Sequence, residues 1–254
     1  MSFSVIIPAR LASTRLPRKP LADIGGAPMV VRVAQRAQAS GASQVAVAAD
    51  SEEIAEACAQ HGIACVLTSP DHPTGTDRIA EAATQLGLAT ESIVVNVQGD
   101  EPLIPPEVIA QVAACLEAHA DCAVATAACP IVEASEFFDP NVVKVVVDRQ
   151  GRALYFSRAP IPWARDAFAS NRTQLPEHLA ARRHIGIYAF RRNFLAQFPQ
   201  LARDPLEQHE SLEQLRALAH GHRIAVVDRD GPLPPGVDTP ADLQVARAAW
   251  TAPR

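Results

Sequence analysis

The chain has 254 residues, 48% of them hydrophobic and 20% charged, with a formal net charge of -5. That is the composition of an ordinary globular protein with a substantial core. The acidic balance excludes general nucleic-acid binding, which needs a broad basic face, and no apolar run approaches the ~18 residues of a membrane span. Five cysteines (Cys58, Cys65, Cys115, Cys122, Cys129) are odd in number and form no C-x-x-C pair. They read as core thiols of a reducing compartment, not as a zinc site. No cationic leader with a long apolar core opens the sequence. The expectation is a cytoplasmic protein that keeps its N-terminus and has no nucleic-acid or membrane partner.

In chain order, Val5, Ile6 and Ile7 form a short buried strand that breaks at Pro8. The loop after it carries Arg10, Arg15, Arg18 and Lys19, with no carboxylate before Asp23. A strand ending in concentrated positive charge is where open α/β sheets bind anions. Ala9, Ala12 and Ser13 are small enough to let backbone amides approach a phosphate chain. Lysine occurs only at Lys19 and Lys144, against 21 arginines, so a lysine in this loop points to a use for a compact charge.

Gly25-Gly26 marks a turn, and Met29, Val30, Val33 and Ala37 share a helical face. Residues 44–49 read as a strand, with Asp50 and Glu53 as a helix N-cap pair and Gly62 as the residue after that helix. A strand follows at 63–67, then a helix at 77–86 closed by Gly87. The β-branched run 93–97 is a central, fully buried strand. A helix at 106–118 and strands at 123–127 and 142–147 continue the alternation. Residues 159–182 leave this rhythm, with several prolines and Trp163, and a strand at 184–190 closes the excursion. A helix at 205–220, a strand at 223–227 and a helix at 239–250 complete the chain. Repeated βαβ units predict an α/β, Rossmann-like fold, a mainly parallel central sheet flanked by helices. We expect a single domain over 1–254 with an insertion at approximately 155–190.

Several segments carry chemistry. The central strand runs into Gln98-Gly99-Asp100-Glu101, where an acidic residue past a strand end suits Mg²⁺, which takes one or two carboxylates plus substrate phosphates. Taken alone, the same residues equally make a surface turn. In Gly236-Val237-Asp238-Thr239-Pro240-Ala241-Asp242, Thr239, Pro240 and Asp242 fit helix initiation, which leaves Asp238 free as a second carboxylate. Thr76 and Arg78 open a helix after His72-Pro73-Thr74-Gly75 and would hold a base or phosphate, or merely cap the helix. Glu210 and Glu213, at i and i+3 of one helix, would share a face, either for sugar hydroxyls or as a solvated acidic face. Arg158, His184 and Tyr188 are hydrogen-bonding groups near the excursion. Lys144, inside a β-branched run, must snorkel or meet a carboxylate or phosphate. Neither G-x-G-x-x-G after the first strand nor G-x-x-x-x-G-K-[ST] occurs.

In order, IIPARLASTRLPRKPL, HPTGTDRIAE, VNVQGDEPLI, NVVKVV, LYFSRAPIPW, RHIGIYAFR, ESLEQLR and GVDTPADL span essentially the whole chain. This succession resembles the 3-deoxy-manno-octulosonate (Kdo) cytidylyltransferases, the CMP-Kdo synthetases. The family loop usually has glycine where this chain has Arg18, so a left-handed backbone there would be strained by a Cβ.

The resemblance implies transfer of CMP from CTP to the anomeric hydroxyl of Kdo, giving CMP-Kdo and pyrophosphate for lipopolysaccharide biosynthesis. It implies catalytic roles for Lys19, Arg10, Asp100 and Asp238, with Mg²⁺ as cofactor on Asp100 and Asp238. Arg10, Ser13, Arg15, Lys19, Thr76, Arg78 and Gln98 would bind nucleotide. Gln98, Arg158, His184, Tyr188, Glu210 and Glu213 would bind sugar, and the segment around Trp163 would form a homodimer. The alternatives are a CMP-sialate-type or other sugar cytidylyltransferase, then a glycosyltransferase or an idle nucleotide-binding protein.

Overall fold

The first strand, β1 (Phe3–Ala9), faces two apolar layers: Phe3, Val5, Ile7 and Ala9 join one and Ile6 the other. A strand buried on both faces belongs inside a covered sheet. The computed structural model, which describes residues 2–13 and 15–251, puts it there.

A hairpin of β2 (Asp23–Ile24) and β3 (Ala27–Pro28) turns at Gly25 and Gly26, both at positive φ, and leads into α1 (Met29–Gln38). Next come β4 (Gln44–Ala49), α2 (Glu52–Gln60), β5 (Cys65–Leu67), α3 (Gly75–Gln85), β6 (Ile93–Asn96), α4 (Pro106–Ala118) and β7 (Val124–Pro130). After α5 (Ala134–Phe138), β8 (Lys144–Val147), β9 (Ala153–Ser157) and α6 (Arg165–Ser170), the chain returns in β10 (Arg182–Arg191). It ends through α7 (Arg192–Gln197), α8 (Pro205–Glu210), α9 (Gln214–Ala219), β11 (Ile224–Asp228) and α10 (Pro240–Thr251).

The sheet order is β11-β7-β10-β6-β1-β4-β5, with β8 and β9 branching from β10. The pairs β11/β7, β6/β1, β1/β4 and β4/β5 are parallel, whereas β10 runs antiparallel to both β6 and β7. Being reversed, β10 starts at the edge where its neighbours end, so its first residues share the functional edge with the loops after β1 and β6. One apolar layer packs α1, α2 and α4 on the sheet; the other packs α3, α7 and α9. The excursion has its own small core of Ile131, Phe137, Val142 and Phe168, with Trp163 edge-on to Phe138 and Phe168.

Five expectations change. Strand β1 continues through Pro8 to Ala9, because pairing with β6 stops at Ile6 and no partner there needs the missing N–H. The α2 cap is Ser51, which accepts from Ile54 N, while Asp50 accepts from Leu11 N and pins the start of the cationic loop. Strand β5 is shorter than 63–67, starting at Cys65. The predicted helix over 205–220 is two short helices broken at Ser211, which has a φ of 51°. Lys144 meets neither solvent nor an anion: wholly buried, its Nζ donates to the carbonyls of Asp139 (2.9 Å), Val142 (2.5 Å) and Arg158 (2.6 Å). All five cysteines are free thiols. No helix among the described residues is long and apolar enough to cross a membrane.

Candidate active site

Three chain segments meet at the carboxyl edge of β1 and β6. Arg18 has left-handed backbone (φ 57°, ψ 32°) and starts a single 3-10 turn at Lys19. That turn aims the Lys19 ammonium at Asp100 Oδ2 (2.6 Å) and Asp238 Oδ1 (3.1 Å), and Arg15 also reaches Asp238 Oδ1, at 3.0 Å. The two predicted carboxylates therefore converge on one cation. Asp100 can sit there because Gly99 lies against the end of β1; a Cβ on Gly99 would stand 2.7 Å from the Pro8 carbonyl oxygen. Asp238 is carried in by a backbone bond from Val237 N to Asp100 O (2.8 Å). The box predicted behind it forms as expected, with Thr239 Oγ1 accepting from Asp242 N and Asp242 Oδ2 from Thr239 N. A small apolar cluster of Ile24, Met29, Val237 and Leu243, joined by Leu16, Ala22 and Leu103, lies beneath all three segments.

The donor set fits magnesium. Asp100 and Asp238 keep 32% and 44% of their side-chain surface exposed, so hydrated cations and phosphates can reach them, and two carboxylates are what Mg²⁺ usually takes from a protein. Among the described residues no cluster of three or more His, Cys, Asp or Glu forms a closed cage. Glu101, which the sequence reading did not single out, is half-buried beside the pair, with its Oε2 wholly buried and unpartnered. Burial first, and the Asp100 charge second, push its carboxyl up to about 8. It is thus protonated near neutrality and adds no charge. Arg10 is exposed at the mouth of the loop, and Ser13 Oγ accepts from Leu16 N at 3.4 Å. Arg18 turns away to pair with Glu53.

Beside this charged edge a cavity of about 190 Å³ opens between β6, β10, α3 and α9. Thr76, Asn96, Gln98, Tyr188, Glu213 and Gln214 form its polar wall. Tyr188 stands opposite Asn96 in the β10/β6 pair and opposite Thr126 in β10/β7. His184 and Tyr188, four residues apart, would be separated by roughly 13 Å on a regular strand. A bulge between Ile185 and Tyr188 brings their rings to 5.5 Å. Thr126 fills the bulge, its hydroxyl lying 2.8 Å from the Ile187 carbonyl and 3.1 Å from that of Ile185. Having donated its single proton there, it accepts from His184 Nε2–H at 2.9 Å. Enclosure by protein pushes the His184 imidazole down to about 3, so it is neutral with Nδ1 as an acceptor. Gly186, at the bulge, is the signal the sequence offered for it.

The break at Ser211 parts the two glutamates expected on one face. Glu213 hydrogen-bonds to Thr76 at the start of α3, and burial raises its carboxyl despite that bond. Glu210 turns to β9 instead, accepting from Ser157 Oγ (2.6 Å) and Arg158 N (2.9 Å). Arg158 also donates from Nε to the Glu210 carbonyl at 2.6 Å, so these two brace each other next to the cavity and do not line it. Arg78, only 4% exposed, donates to Thr68 Oγ1 (2.7 Å) and the Ser69 carbonyl (3.1 Å). It holds the loop before α3, near Arg10.

Residues 4–224 match the family model described as cytidylyltransferase. A 3-deoxy-manno-octulosonate cytidylyltransferase from Herminiimonas arsenicoxydans is 59% identical over 99% of this chain and 100% of its own. Among solved structures, a CMP:2-keto-3-deoxy-manno-octonic acid synthetase complexed with CTP superposes with a TM-score of 0.88 at 40% identity, covering 98% of this chain and 97% of that one. HddC from Yersinia pseudotuberculosis, complexed with GMP-PN, shares the fold at a TM-score of 0.63 and 12% identity, over 98% of this chain and all of its own.

Proposed function

Because this chain belongs to the cytidylyltransferase family, we infer that it transfers CMP from CTP to Kdo. The oxygen of the sugar's anomeric hydroxyl gives up its proton to solvent and forms the new bond to the α-phosphorus, and the bond to the β-phosphate breaks to release pyrophosphate. The observation that carries this reading is the convergence of Lys19, Arg15, Asp100 and Asp238 beside a cavity with a polar wall. One half of the site suits a triphosphate and the other a polyol.

Arg10, Arg15 and Lys19 bind the triphosphate and stabilise charge on the departing pyrophosphate, with Ser13 and the loop amides orienting it. Asp100 and Asp238 hold Mg²⁺, which when bound neutralises phosphate charge and templates the displacement. Gln98 lies between the two halves, Arg78 shapes the nucleotide side, and Thr76, in the cavity wall and bonded to Glu213, borders both substrates. Tyr188, Glu213 and the neutral His184 receive the sugar, with Arg158 positioned by Glu210. Bringing two substrates into line supplies much of the acceleration, by an effect worth up to about 7–11 kcal/mol. The exposed Val132, Leu154 and Trp163 around the excursion support a homodimer, and the reducing-compartment cysteines support the cytoplasm.

Pyrophosphate release across CTP, UTP, ATP and GTP, with Kdo and N-acetylneuraminate as acceptors and Mg²⁺ present, tests the assignment. The expected result is turnover with CTP and Kdo and very little with N-acetylneuraminate. Equal use of both sugars would move the chain to the sialate branch; no pyrophosphate from any of the nucleotides, with CMP released instead when CMP-Kdo and a hydroxylated acceptor are supplied, would make it a glycosyltransferase.

A further inference from the structure

The cavity holds two polar atoms that no neighbour satisfies. Asn96, the last residue of β6, is 2% exposed and its Oδ1 has no hydrogen-bond partner. Gln214, the first residue of α9, is 7% exposed and its Nε2 has none. Both side chains line the same space. Buried polar atoms left unmade are costly, and replacing such a group with an apolar one of the same shape is neutral or stabilising. The backbone of Asn96 already serves the sheet, opposite Ile6 on one side and Tyr188 on the other, and leucine would do that as well. An amide at this position is therefore a cost to the fold with no structural return.

The chemistry of the pair indicates what offsets that cost. An acceptor and a donor facing one small space are both met by hydroxyls, which donate and accept. The rest of the wall includes the apolar Val124, Phe190, Phe198, Ala217 and Ile224, so a cavity of about 190 Å³ suits a short hydroxylated end better than a longer, acylated one. We propose that Asn96, together with Gln214, binds a hydroxyl on the tail of the sugar acid and is a specificity-determining residue for the eight-carbon acceptor. This rests on the Kdo reading above.

Asn96→Leu separates a substrate-reading role from a structural one. The expected result is a KM for Kdo raised at least tenfold, a KM for CTP within twofold of the parent, and a ligand-free Tm equal to or above the parent's. An unchanged KM for Kdo, or a protein that melts earlier or fails to fold, would overturn the proposal. A second arm uses the unaltered protein with 7-deoxy- and 8-deoxy-Kdo. At least one should lose tenfold or more in kcat/KM; if both are used as well as Kdo, no tail hydroxyl is read and the proposal fails. In the same assay, no pyrophosphate from CTP and Kdo themselves would overturn the cytidylyltransferase reading, which is a different failure.

Discussion

Lys19 binds carboxylates that lie 81 and 219 positions further along the chain, and the first predictions turn on that knot. Asp100→Asn and Asp238→Asn should each lower kcat at least a hundredfold, about 2.7 kcal/mol of transition-state stabilisation. Far-ultraviolet circular dichroism should stay unchanged, since both residues lie outside strands and helices. Lys19→Ala should weaken CTP binding, measured by titration calorimetry. Arg18→Gly should be mild in activity and range from neutral to about 1 kcal/mol more stable in urea. It relieves a left-handed residue and gives up only an exposed ion pair with Glu53. Lys144→Met should cost about 3 kcal/mol, because three buried carbonyls lose a charged donor. His184 links stability to pH: the folded imidazole stays neutral down to about 3, whereas the unfolded one protonates near 6.5. Its contribution is complete above about pH 6.5 and is lost as pH falls toward 3. His184→Gln should therefore flatten the drop in urea midpoint between pH 7 and pH 5.

At the level of elements, the alternation of β-branched runs with amphipathic stretches was enough to read most of the sheet and its helices. Local pattern dominates there: residues 44–49 and 106–118 have the same bounds in the structure as in the sequence reading. What remained illegible depends on distant partners. Residues 205–220 have helical composition throughout. Yet the buried ion pair of Glu207 with Arg216, at 2.8 and 2.6 Å, closes a turn at Ser211 and splits the segment. Nothing local could show that Glu210 answers to Ser157 and Glu213 to Thr76. The β10 bulge is similar: Gly186 hints at it, but the Thr126 hydroxyl that fills it comes from another strand. At the site, Asp100 was readable as a strand-end acid and Asp238 as the carboxylate that helix initiation leaves free, whereas Asn96 and Gln214 look like any polar residues until their burial is known. Ser211→Val puts a β-branched residue at positive φ. It should lower Tm and raise the KM for Kdo more than that for CTP, since the break leaves Glu213 in the cavity wall and turns Glu210 to brace Arg158.

On the scale of the molecule, the excursion leaves Trp163 half-exposed, and its surface is the one that supports pairing of two copies. Trp163→Glu should shift the mass measured by light scattering from dimer to monomer; a parent protein already monomeric would remove the dimer reading. The reversed seat of β10 between β6 and β7 also sets an order in time. As the chain leaves the ribosome, β1, β4, β6 and β7 emerge with a gap between β6 and β7 that stays open until residue 191 has been made. Asp238 emerges later still, and the Val237–Asp100 bond with the docking of α10 brings it to Lys19. For most of its synthesis the nascent chain thus carries a cationic loop without its full set of acids. If Asp238 serves the chemistry as proposed, a chain truncated before residue 238 should release no pyrophosphate from CTP and Kdo, because the second carboxylate that meets Lys19 is missing.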